Sequence, residues 1–91
     1  MQKSVHSPSQ KELEALLRSL RQEAGLTQRA LAERLGVPQS RISDYEVGES
    51  LMDILVLRQY VQALGLDLAT FVRLLEERLL RHRFRAANPS D

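Results

Sequence analysis

Five hydrogen-bonding side chains crowd into residues 39–44: Gln39, Ser40, Arg41, Ser43 and Asp44. Their chemistry is that of recognition. A glutamine amide can pair twice with adenine through N6 and N7, an arginine can clamp a phosphate or read guanine, and an aspartate can accept from cytosine N4. The plain alternative for each is a solvated polar residue on an exposed helical turn. Catalytic candidates are few. His6 and His82 stand near opposite ends of the chain, without a partner for metal binding or proton transfer. Glu76 and Glu77 are helical neighbours that diverge by about 100°, so they do not form a paired-carboxylate site. The segment EAGLTQ holds a single glycine and is no phosphate loop. There is no cysteine, hence no thiolate nucleophile, disulfide framework or cysteine-ligated zinc. An enzyme is not expected, nor is a cofactor.

The recognition residues need a scaffold, and every strong periodic signal in the chain is helical. Residues 1–8 are polar and read as a loose arm. Ser9-Gln10-Lys11-Glu12 reads as a capping box, with Ser9 capping and Glu12 reaching back. Leu13, Leu16, Leu17 and Leu20 then recur as one apolar stripe until Gly25. A second helix is expected over residues 27–35, capped by Thr27, with Leu31, Ala32 and Leu35 inward. Gly36 supplies a left-handed turn residue. A third helix over residues 38–47 should bury Ile42 and Tyr45 and end at Gly48. The fourth starts behind Asp53 and should bury Ile54, Leu57, Val61 and Leu64. The fifth starts behind Asp67 and should bury Leu68, Phe71, Val72, Leu75 and Leu79. Residues 85–91 contain Asn88-Pro89 and read as a fraying tail. The expected unit is a single all-α, five-helix domain over residues 9–84.

Size and charge narrow the function classes. A chain of 91 residues fits one domain with a modest core. Thirteen basic against twelve acidic residues leave a net charge of +1, so any basic surface must come from local clustering. Four aromatic residues are too few for a stacking platform that binds single-stranded nucleic acid. No apolar run approaches the roughly 18 residues of a membrane span, and the start of the chain lacks the apolar core of a signal peptide. The expected location is the cytoplasm.

Why should a helix break at Gly36 and restart at Pro38? One long helix would be simpler to build, so the angle between the two pieces must matter. A short helix, a three-residue turn and a second short helix make the helix-turn-helix of DNA-binding proteins. Ala32 is small where the helices would cross, Val37 and Ile42 plug the gap, and Tyr45 anchors the far end. The third helix can then stand out from the body and enter a major groove about 12 Å wide. Residues 13–72 resemble the Cro/repressor (XRE-type) helix-turn-helix family through LRSLRQEAGLTQ, LAERLGV, QSRISDYEVGE and ALGLDLATF, in the family's order and spacing. The resemblance implies a lambda-repressor-like fold in which helices two and three form the helix-turn-helix. It also implies a transcriptional regulator, a repressor in the leading reading, that binds a near-palindromic operator in double-stranded DNA as a dimer.

The same resemblance assigns roles. Gln39, Ser40, Ser43 and Asp44 match base-reading positions. Gln28 matches a residue whose side chain and backbone amide hold a phosphate, in keeping with the anion affinity of a helix N-terminus. Arg21 and Glu46 match an ion pair tying helix one to the end of helix three, and Arg21 is also a candidate for phosphate contact. Arg18, Arg29 and Arg41 are further phosphate candidates. Three positions depart from the family pattern: Pro38 replaces a serine or threonine cap, Ala30 replaces a capping-box glutamate, and Val47 replaces a polar residue.

Helices four and five carry more apolar residues than one buried face requires. Leu74, Leu80 and Phe84 fall outside the stripe of helix five, and Leu55 and Val56 off that of helix four. Together they suggest a patch covered by a second copy. Two copies with recognition helices about 34 Å apart would meet one face of the duplex. Two other classes remain open: an antitoxin that binds a toxin protein and its own promoter, and a helix-turn-helix domain that no longer binds DNA.

Overall fold

The computed structural model describes the backbone of residues 7–87 and the side chains of residues 7–81. The helices are α1 (Pro8–Glu23), α2 (Gln28–Leu35), α3 (Gln39–Val47), α4 (Ile54–Ala63) and α5 (Leu68–Ala87), and no strand occurs among the described residues. Side-chain caps start three of them where the sequence places them or close by. Thr27 Oγ1 accepts from the Ala30 amide at 3.0 Å, Asp53 Oδ1 from Val56 at 2.8 Å and Asp67 Oδ1 from Thr70 at 2.8 Å. Each oxygen satisfies an amide that the helix cannot.

The first cap differs from expectation. Ser7, not Ser9, closes the start of α1, its hydroxyl accepting from Gln10 N at 3.0 Å. Pro8 occupies the first helical position, where its fixed φ suits the turn and its missing N–H is no loss. Ser7 and Pro8 therefore belong to the helix rather than to an arm. At the other end α5 continues through Ala87. The rest of the expected arm and tail, residues 1–6 and 88–91, lies outside the described residues.

The core draws on every helix: Leu16 and Leu17 from α1, Leu31 and Ala32 from α2, Ile42 from α3, Tyr60 and Val61 from α4, and Phe71 from α5. Full burial of each large apolar side chain contributes about 1.5–3 kcal/mol. α3 packs on α1 and α2, while α5 packs on α1 and α4, and α2 also touches α4. Two expected core residues lie outside. Ile54 is 61% exposed because it opens α4, a turn before that helix reaches the core. Val72 is 42% exposed because α5 is rotated about its axis: Phe71 points inward at 0%, and at about 100° per residue Leu74, Leu75 and Arg78 cluster around that direction. Tyr60, absent from the expected stripe of α4, is wholly buried.

Candidate nucleic-acid interface

The turn between α2 and α3 is built by backbone geometry. Gly36 takes φ 69° and ψ 34°, a left-handed conformation that disfavours a side chain. Val37 N then donates back to Ala32 O at 3.0 Å, and Pro38 (φ −67°) turns the chain into α3. Pro38 offers no side-chain cap. Ala32 at 3% and Ile42 at 0% exposure seal the crossing of the two helices. This leaves Gln39, Ser40 and Arg41 exposed on the first turn of α3, with Ser43 and Asp44 half-buried beyond them. Gln28 lies half-buried at the start of α2, beside the exposed Arg29. Val47, at the last turn of α3, is exposed.

Behind this face lies a buried polar cluster centred on Glu46. Arg21 donates to it twice, Nε to Oε2 at 2.7 Å and Nη2 to Oε1 at 3.0 Å. Tyr60 Oη donates to Oε2 at 2.5 Å and Gln28 Nε2 to Oε1 at 3.1 Å. Arg21 Nη1 also donates to the Leu26 carbonyl at 2.8 Å, and Arg18 Nη1 to the carbonyl of Glu46 at 3.1 Å. The described residues contain no buried side-chain nitrogen or oxygen without a partner. Burial alone would raise the Glu46 carboxyl, but the bonds from Arg21, Tyr60 and Gln28 outweigh it and hold the group below its ordinary value. The bond to Glu46 raises Arg21, against the opposing effect of burial. Burial first, and then the bond to the carboxylate, push the Tyr60 hydroxyl far above its usual range. Glu46 is a carboxylate, and its two titratable partners, Arg21 and Tyr60, are protonated.

The expected site residues are thus divided. The structure brings Arg21 and Glu46 together, and it draws Arg21 inside at 8% exposure, with three of its nitrogens bonded within the protein. Arg18 is turned to the end of α3, although it stays exposed. The Gln28 side chain, expected to hold a phosphate, is bound to Glu46, and its Oε1 accepts from Gln39 Nε2 at a long 3.4 Å. One Nε2 hydrogen and the backbone amide at the start of α2 remain for an anion. Leu74, expected at a subunit interface, is partly buried and packs against the core. Leu80 is 56% exposed on the side of α5 opposite Phe71, and Leu55 is 68% exposed. Val56 is half-buried, and the Phe84 side chain lies outside the described ones. Sequence reasoning overlooked Tyr60. The available signal was a polar-tipped ring inside an apolar stripe, which in a core needs a hydrogen-bond partner.

A helix-turn-helix family model matches residues 17–71, which contain the α2–turn–α3 unit and the Glu46 cluster. The chain belongs to that XRE-type helix-turn-helix family of DNA-binding transcriptional regulators. Among solved structures, a point variant of the restriction-modification controller protein C.Esp1396I is similar in fold. Its TM-score is 0.76 at 24% identity, over 84% of this chain and 96% of that one. No curated protein matches the sequence. No helix among the described residues is long and apolar enough to cross a membrane.

Proposed function

We propose that the protein is a cytoplasmic, sequence-specific repressor that binds a near-palindromic operator as a homodimer. One observation carries the reading: Gln39, Ser40 and Arg41 stand exposed on the first turn of α3, while Ile42 behind them is fully buried. An amide, a hydroxyl and a guanidinium offered on one helical turn suit the base edges and phosphates of a major groove. Ser43 and Asp44 extend that face, with Arg29, Arg41 and the Gln28 backbone amide at the flanking phosphates. The likeness in fold to a restriction-modification controller protein is in keeping with a regulatory role. Exposed Leu55 and Leu80 support a second copy. A toxin or other protein on that patch is the competing occupant.

Selection of duplexes from a random DNA library tests the proposal, followed by shift assays over a salt series. The expected product is a palindromic consensus, and Gln39→Ala should relax preference at one base pair, at a cost of about 1–3 kcal/mol. Binding that ignores sequence, or a Gln39→Ala variant weakened equally on all duplexes, would overturn the reading.

A further inference from the structure

Tyr60 is buried on α4, far along the chain from the reading face, yet its hydroxyl reaches that face through hydrogen bonds. Tyr60 Oη donates to Glu46 Oε2 at 2.5 Å, and Glu46 Oε1 accepts from Gln28 Nε2 at 3.1 Å. Gln28 Oε1 then accepts from Gln39 Nε2 at 3.4 Å. The path runs from α4 through the end of α3 to the start of α2, and returns to the first residue of α3. α3 otherwise rests mainly on α1 and α2. A phenylalanine ring would occupy nearly the same volume, so the hydroxyl acts through its bond and not through packing. It fixes one carboxylate oxygen of Glu46 while Arg21 spans both. Without it Oε2 keeps only the bond from Arg21, and the carboxylate to which Gln28 is bonded loses one of its anchors.

We propose that Tyr60 is a positioning residue for sequence recognition: through Glu46 and Gln28 it orients the Gln39 amide toward a base edge, and so transmits the seating of α4 to the reading end of α3. The inference rests on the DNA-reading role proposed above. Because α4 also carries exposed Leu55, a second copy seated there would bear on the same path.

The probe is a duplex selected from a random library by the wild-type protein, together with duplexes changed at the base pair whose preference Gln39→Ala relaxes. Tyr60→Phe, assayed well below its unfolding midpoint, should lose about three- to tenfold of the discrimination at that pair, part of what one bidentate contact supplies. In a Gln39→Ala background the same substitution should change discrimination no further, since the two residues act on one contact. A uniform loss on all duplexes, no loss at all, or additive effects in the double variant would each overturn the proposal. A second measurement does not depend on the variant folding. In the free wild-type protein, side-chain amide relaxation should show Gln28 as rigid as the backbone around it, and a freely averaging amide overturns the proposal. Failure of the wild-type protein to select any sequence would instead defeat the DNA-reading role itself.

Discussion

Glu46 carries a negative charge to a place only 1% exposed, and four hydrogen bonds make that tolerable. A buried pair of this kind adds little net stability over an apolar isostere, but removing one partner leaves the other charge stranded. Glu46→Ala should therefore destabilise the fold by about 3–5 kcal/mol, whereas Glu46→Gln, which keeps an acceptor oxygen, should lose less. The pH dependence follows from the lowered carboxyl. A group whose folded value lies below its unfolded one stabilises the fold above the ordinary 4.5, and that contribution fades as the pH falls through the folded value. Urea denaturation from pH 7 downward should show wild-type stability declining more steeply below pH 4.5 than that of Glu46→Gln. Parallel acid limbs would show that Glu46 is not the group responsible.

At the scale of elements, two glycines end helices in the same left-handed conformation but in different surroundings. Gly36 (φ +69°) closes α2 with open space where a Cβ would stand. Gly48 (φ +83°) closes α3 against the buried carboxylate of Glu14, which a Cβ would strike. Left-handed strain alone costs on the order of 1 kcal/mol. Gly36→Ala should lose about that much, while Gly48→Ala should lose more and disturb the Glu46 end of α3 as well. Thermal unfolding of the two variants decides the matter, and equal losses would show that the Glu14 contact relaxes freely. Gln10 Nε2, bonded to Glu14 at 3.2 Å, gives that carboxylate a reason to resist.

At the scale of the whole molecule, the large apolar side chains more than half exposed among the described residues are Val47, Leu51, Ile54, Leu55 and Leu80. Scattered apolar residues are ordinary on a surface, but three of these five lie within residues 51–55. If a second copy covers them, Leu55→Glu and Leu80→Glu should each shift the protein toward monomer in sedimentation velocity and weaken operator binding without loss of helix content. Leu74→Glu should unfold the protein instead, because that side chain packs against the core. A wild-type protein that sediments as a monomer at high micromolar concentration would rule out this use of the patch.

The caps at Thr27, Asp53 and Asp67, the turn at Gly36 and the break before α3 were legible in the sequence. Each depends on chemistry within four residues of chain, and periodicity alone pointed to Leu16, Leu17, Leu31 and Phe71 as core. The start of α1 was misplaced by two residues because Ser7-Pro8 and Ser9 both offer plausible caps, and only the folded backbone distinguishes them. Tertiary structure decided the rest. Whether Val72 or Leu74 faces inward depends on a rotation of α5 that its contacts with α1 and α4 set. The bonds that Tyr60 and Gln28 make to Glu46 join partners 14 and 18 residues apart in sequence, respectively. Glu46 can hold these donors only because packing brings α1, α2 and α4 to the end of α3, and no local pattern encodes that distance.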